Sequence, residues 1–221
     1  MQVIHIYSKE NSFITKLQNM DLLLYHEAIK NKSYINFFKK NNNYKILDNS
    51  FYEIRKKINY NDFIKIGELL KVNEIILPDK LWDGGWTRRA VEENLKKYYN
   101  SYKKNNWKIA AVLQGKNFYD IIETFKYYIR NKKINVIMIP RKIYKGKKQT
   151  YYSGRLEVWN YLCNTYLKVL QKKEIHFLGA NSFGDFFLPN KHLIRSMDTK
   201  LLIKELTKKK WESRDDKITN V

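Results

Sequence analysis

Cysteine is almost absent from this chain, Cys163 being the only one among 221 residues. That excludes an intramolecular disulfide and a zinc site built from several thiolates. No apolar run approaches the ~20 residues that a membrane-spanning helix requires. The start, MQVIHIYSKE, lacks a basic segment leading into a long apolar core, so no export signal is expected and the chain reads as soluble and cytoplasmic. Internal repeats and low-complexity linkers are also lacking. The four histidines, His5, His26, His176 and His192, show no metal-ligand spacing, and neither a metal nor an organic cofactor is expected. His176 alternates into a strand pattern as a core or rim residue.

Acidic residues are scarce. Asp and Glu number 22 against 43 Lys and Arg, which leaves +21 at pH 7. Such a surplus predicts attraction to polyanions, nucleic acid foremost. A compositional bias toward Lys, Asn, Tyr and Ile is the alternative account of the amount of charge, though not readily of its placement.

Short apolar, β-branched runs are what the chain has in quantity. They fall at Val3–Tyr7, Asp21–His26, Tyr44–Asp48, Glu74–Pro78, Lys108–Gln114, Asn135–Pro140, Glu174–Gly179 and Leu193–Met197. Several are nearly continuous in apolar residues, as strands buried on both faces are. Helical periodicity separates most of them. Ala90, Val91, Leu95, Tyr98 and Tyr102 follow Thr87, an expected N-cap, and similar patterns run from Phe118 and from Leu156. Strand and helix alternating in this way predict a (β/α)8 TIM-type barrel over 1–206 as a single domain, with an open doubly wound sheet as the alternative, and a polar tail over 207–221.

Two intervals depart from the alternation. Residues 141–155, RKIYKGKKQTYYSGR, form a basic loop expected over the active face, with Arg141, Lys142, Lys145, Lys147, Lys148 and Arg155 as candidate phosphate contacts. In 180–192 the expected helix shrinks to about one turn. The pairs Gly84-Gly85 and Ser153-Gly154 read as loop punctuation, and Trp82, Trp86 and Trp107 as core or rim packing.

Asp48, Asp79 and Asp198 each stand at the tail of an apolar run, as does the pair Gln114-Gly115. On a parallel barrel all of them crowd the mouth at which such folds do their chemistry. Each has a plain alternative: a turn residue for Asp48, a loop residue for Asp79 and a helix cap for Asp198. Their joint placement points instead to a site. Two carboxylates at one mouth can divide nucleophilic and proton-transfer roles between them. Asp79 can only accept hydrogen bonds, whereas Gln114 can both donate and accept.

The order of these motifs resembles the tRNA-guanine transglycosylase superfamily, barrel enzymes that exchange guanine for a 7-deazaguanine through a covalent glycosyl-enzyme. The resemblance runs from Tyr44 to Leu202. Asp48-Asn49-Ser50-Phe51-Tyr52 is similar to the family's Asp-Ser-Gly-Gly-aromatic segment, without its glycines, and implies Asp48 as general acid/base with Phe51 or Tyr52 stacked on the base. Ile75-Ile76-Leu77-Pro78-Asp79 resembles the strand whose aspartate reads the guanine edge, and Leu113-Gln114-Gly115 resembles Val-Gln-Gly, whose glutamine and backbone contact the base. Val136–Pro140 keeps the next strand but not its terminal glycines. Phe177-Leu178-Gly179 is similar to Leu-Met-Gly, which implies Leu178 as a cover on the base, and Asp198 of Arg195-Ser196-Met197-Asp198-Thr199 aligns with the nucleophile.

The family's C-terminal zinc subdomain is missing, which favours the shorter phage and bacterial relatives that modify DNA. The implied reaction is replacement of guanine in DNA by a 7-deazaguanine base, in the host cytoplasm if a phage encodes the protein, with no membrane partner. The same reaction on tRNA and a non-catalytic nucleic-acid-binding barrel are the rival readings.

Overall fold

Parallel strands alternate with helices along most of the chain. In order these are β1 (Gln2–Ile6), β2 (Met20–Leu24), α1 (Tyr25–Lys30), α2 (Lys32–Lys40), β3 (Tyr44–Asp48), α3 (Phe51–Ile54), α4 (Tyr60–Leu70), β4 (Glu74–Ile76) and α5 (Gly84–Lys104). There follow β5 (Lys108–Val112), α6 (Phe118–Arg130), β6 (Val136–Pro140), α7 (Tyr151–Leu170), β7 (Glu174–Ala180), a 3-10 turn (Lys191–Leu193) and β8 (Ile194–Thr199). The computed structural model describes residues 1–6, 19–54, 58–144, 150–180 and 187–199, with backbone alone for 3–6 and 52. Lys145, Lys147, Lys148 and the tail 207–221 lie outside the described residues.

Strands β2 to β8 pair in chain order, all in parallel. Strand β1 pairs in parallel with both β8 and β2 and closes the ring. The architecture is thus a parallel α/β barrel. No described helix is long and apolar enough to cross a membrane.

Near-continuous apolar strands are what this arrangement needs, because successive side chains face opposite sides and both sides are covered. Leu22, Ile46, Ile76, Ala110, Val112, Val136 and Met138 fill the interior of the barrel. Their neighbours Leu23, Leu47, Ile75, Ala111, Ile137 and Phe177 face outward, where Phe63, Tyr102, Phe125, Tyr128 and Trp159 on the helices cover them. Trp107 belongs to this outer core, as expected.

Helices begin where short polar side chains satisfy free backbone donors. Asn31, Asn59, Asp83, Asn117 and Thr150 each accept from an N–H in the turn that follows. Asp83, not Thr87, caps α5, and Thr87 sits in its first turn with Oγ1 donating to the Asp83 carbonyl at 2.7 Å. Gly84-Gly85 and Ser153-Gly154, expected in loops, therefore lie inside helices, as does Trp86. Gly84 must be glycine because a Cβ there would come within 2.7 Å of Asp120, Thr124 and the Gln114 carbonyl. Between β7 and β8 the described residues hold a 3-10 turn at Lys191–Leu193, and residues 181–186, where the shortened helix is expected, lie outside the described residues.

The N-terminal ends of the strands carry a polar plug. Arg195 donates from Nη1 to Glu74 at 2.7 Å and to Glu174 at 2.5 Å, Lys108 pairs with Glu174, and the Tyr44 hydroxyl donates to Glu74 at 3.0 Å. Burial works against the Arg195 charge, but Glu74 and Glu174 outweigh it and hold the guanidinium above its usual range. Burial likewise pushes the Glu174 carboxyl up, yet Lys108 and Arg195 bring it below the usual carboxylate range. Glu74 has no solvent exposure, so this network closes the bottom of the barrel with charge compensated inside it.

Candidate active site

Two irregularities in the β7–β8 pairing shape one wall of the site. Ile175 pairs with Ile194 and His176 with Ser196, so β8 carries an extra residue, Arg195, at that point. This bulge lets Arg195 and Ser196 both face inward. Higher up, Phe177 pairs with Met197 and Ala180 with Thr199, so the surplus residue now lies on β7. Gly179 takes it up with φ +74°, a left-handed conformation that suits glycine, and turns its N–H onto Asp198 Oδ1 at 2.8 Å.

Asp198 lies in β8 rather than just beyond it, and is fully buried. His176, also fully buried, meets the same Oδ1 from Nε2 at 2.9 Å. Asp198 Oδ2 has no hydrogen-bond partner among the described residues. Behind the histidine, Nδ1 is 2.8 Å from Ser196 Oγ, which accepts from Arg195 Nε at 3.1 Å. A carboxylate can only accept, so an ionised Asp198 takes the Nε2–H of His176, and a neutral ring then leaves Nδ1 to accept from Ser196, whose oxygen also accepts from Arg195. A hydrogen-bonded chain thus runs from the plug, through Arg195, Ser196 and His176, to one oxygen of Asp198. The other oxygen is buried without a described hydrogen bond.

Asp48 ends β3, and its Oδ1 accepts from Ser50 N at 2.7 Å, so it does serve the turn that the simpler reading assigned to it. Ser50 turns the chain with φ +55°, and its carbonyl receives the first helical bonds of α3. Burial raises the Asp48 carboxyl to about 8, and the neighbouring charges of Glu53, Asp79 and Asp198 push the same way against the Ser50 bond. A carboxyl in that range carries its proton at neutral pH.

Asn49 links this turn to the next strand. It is 2 % exposed and donates from Nδ2 to the Leu77 carbonyl at 2.7 Å and to Asp79 Oδ1 at 3.2 Å, while its Oδ1 accepts from Phe51 N. Asp79 Oδ2 accepts from Gln114 Nε2 at 2.8 Å, and Gln114 Oε1 accepts from Trp82 N at 3.2 Å. These two contacts fix which way the amide points. Burial raises the Asp79 carboxyl, with Asn49 and Gln114 working against that rise. The two groups singled out for a guanine edge are therefore direct neighbours, and each oxygen of Asp79 keeps a further lone pair.

Gly115 has a packing reason of its own, since a Cβ would lie 2.6 Å from Ile121 N at the start of α6. Leu178 is half-buried against the interior cluster, and Phe51 opens α3 with its ring 5.4 Å from Trp86. The Tyr52 side chain lies outside the described residues.

The basic loop is shorter than expected, because α7 starts at Tyr151. Arg155 is consequently a helix residue, 1 % exposed, with Nη1 donating to the Leu178 carbonyl at 3.3 Å and the guanidinium 5.3 Å from the Phe177 ring. Its assignment to phosphate contact is corrected: it props the end of β7 from behind. Arg141 and Lys142 are half-buried at the end of β6, and Arg141 N donates to the Leu178 carbonyl at 2.8 Å. A groove of about 930 Å³ lies on the outer side between α5 and α6, where Lys96, Lys126, Arg130, Lys132 and Lys133 outnumber Glu92 and Glu123.

Sequence reasoning missed His176, Ser196 and Asn49. The available signal was the period-two spacing that puts His176 on the same face as Leu178. Among the described residues no group of three or more His, Cys, Asp or Glu side chains is arranged to hold a metal ion. No family model matches the chain, and no curated protein matches it.

Proposed function

We propose that the protein is a base-exchange transglycosylase on a single-domain (β/α)8 barrel, replacing guanine in DNA with a 7-deazaguanine base. The observation that carries this reading is the unequal treatment of two carboxyls at one end of the barrel. Asp198 has one oxygen held by His176 and Gly179 and the other without a described partner, while Asp48 is kept protonated to about pH 8. Divergent environments of this kind distinguish a nucleophile from an acid.

In the proposed reaction Asp198 Oδ2 bonds to C1′ as the C1′–N9 bond breaks. Guanine departs with the bonding pair and takes the Asp48 proton, which leaves Asp48 as a carboxylate. The incoming 7-deazaguanine gives its N9 proton to Asp48 and attacks C1′ through N9, which releases Asp198. Asp79 and Gln114 would receive the Watson–Crick edge, and a target within a duplex would have to be flipped out of the stack. The order of motifs shared with the tRNA-guanine transglycosylase superfamily supports the same roles.

The test is capture of a protein–polynucleotide adduct under denaturing conditions, with guanine-containing DNA and tRNA as parallel substrates. Wild-type protein and Asp48→Asn should form the adduct, and Asp198→Asn should not. An adduct that persists in Asp198→Asn and maps to another carboxylate would reassign the roles. Absence of adduct and exchange on either substrate would favour a barrel that only binds.

A further inference from the structure

We infer that Trp82, flanked by Tyr151, is a stacking platform for an unpaired nucleobase adjacent to the one that enters the site. The inference rests on the reading of the mouth as a polynucleotide site, but on different residues. Trp82 is 45 % exposed, although a ring of that size is ordinarily well covered in a folded chain. Three contacts hold it there. Its backbone N–H donates to Gln114 Oε1 at 3.2 Å, its indole Nε1 donates to the Lys142 carbonyl at 3.0 Å, and its ring lies near-parallel to that of Tyr151, at 6.2 Å between centroids and 11° between planes.

The backbone at Trp82 has φ +60°, a conformation that bulky side chains rarely adopt and that persists only where the surroundings impose it. A ring in need of burial alone would have no reason to be held outward at that cost. Tyr151 runs parallel to the indole but offset to one side, and the exposed part of the Trp82 ring is the surface a planar ligand would meet. Aromatic faces accept any base, so this surface would bind without reading sequence. Its placement suits a neighbour of the target, since Gln114 bonds both to the Trp82 backbone and to Asp79. The indole is tied to the segment carrying Arg141 and Lys142, whose charge suits the accompanying phosphates.

The experiment compares Trp82→Ala, Trp82→Phe and wild type, at fixed salt, in binding a fluorescent single-stranded oligonucleotide with one guanine. A second oligonucleotide has abasic sites on both sides of that guanine, and DNA and RNA versions are run in parallel. Trp82→Ala should bind the intact strand about tenfold or more weakly, yet match wild type on the abasic strand, while Trp82→Phe retains most of the affinity. Equal affinities of Trp82→Ala and wild type on the intact strand would overturn the platform. So would an equal loss on both strands, or wild-type protein that binds neither. Exchange is assayed separately. Failure of exchange with the Trp82 pattern intact would remove the transglycosylase reading and leave the platform, and exchange with Trp82-independent binding would do the reverse.

Discussion

His176 meets Asp198 through Nε2 and Oδ1 at 2.9 Å inside the barrel wall, and neither side chain is exposed to solvent. The same oxygen receives the Gly179 N–H, so the rotation of the carboxylate is fixed by two donors on β7. Replacing His176 with Phe keeps a ring but removes the donor. The variant should lose about 10²-fold in kcat, the scale expected for a misplaced reacting group, with KM for the polynucleotide little changed. His176→Gln, which can still donate, should recover part of the loss. Equal kcat in wild type and His176→Phe would reduce the contact to packing.

Asp48 sets the pH dependence. Its folded-state value of about 8 lies above the ordinary 3.8, so the native state holds a proton that the unfolded chain releases. Stability from this group is fully present below pH 3.8, declines as pH rises through the interval, and is lost above about 8. Exchange should fall along a basic limb with an apparent value near 8, where the acid loses its proton. Asp48→Asn should remove that limb, lower the rate by about 10²–10⁴-fold, and flatten the decline in stability between pH 3.8 and about 8. A pH–rate profile and denaturant melts across this range provide the check.

The barrel was legible from strand composition because both faces of each strand are covered, and β3 has its expected limits, Tyr44 to Asp48. The mouth was legible in part. Asp48, Asp79 and Gln114 follow strands whose parity runs unbroken, so chain order alone places them near one another. The wall formed by β7 and β8 was not, because register depends on two bulges, and a one-residue shift exchanges the faces of every later side chain. His176 reads correctly as a core residue, but its contact with Asp198 does not follow from its own strand pattern, and Arg155 reads as a loop cation because α7 begins earlier than its apolar periodicity indicates.

Asp79→Ala removes the acceptor for Gln114 Nε2 and Asn49 Nδ2 as well as the proposed partner of the guanine edge. Each lost acceptor in a buried site is worth about 1–3 kcal/mol. The variant should lose discrimination between guanine and adenine in competition for exchange, with adduct formation reduced and nucleic-acid affinity nearly intact. Wild-type discrimination in Asp79→Ala would return the residue to a role in the loop.

Arg195 gives a prediction about stability. Arg195→Met would leave Glu74 fully buried with the Tyr44 hydroxyl as its remaining described side-chain partner. Breaking a buried pair from one side costs about 3–5 kcal/mol. The double variant Arg195→Met/Glu74→Leu removes the stranded charge and should recover much of that loss in thermal or urea unfolding. Additive losses would mean that the plug is not a coupled unit.

Gly115 and Gly179 should fail in different ways when changed to alanine. At Gly115 the obstacle is space, since the new Cβ would lie 2.6 Å from Ile121 N and 2.7 Å from its Cγ1. Helix α6 or the Gln114 loop must then shift, at a cost of about 1–3 kcal/mol, and guanine selectivity should decline with it. At Gly179 space is available, the nearest atom being Arg141 Cβ at 3.7 Å, and the obstacle is φ +74°. A side chain forced into that region costs about 1–2 kcal/mol, and relaxation of the backbone would turn its N–H away from Asp198. Gly179→Ala should therefore slow adduct formation while preserving the guanine preference, whereas Gly115→Ala should weaken the preference. Measuring adduct rate and base competition on both variants separates the support of the proposed nucleophile Asp198 from the proposed base-reading pair Asp79 and Gln114, and identical profiles would contradict that division.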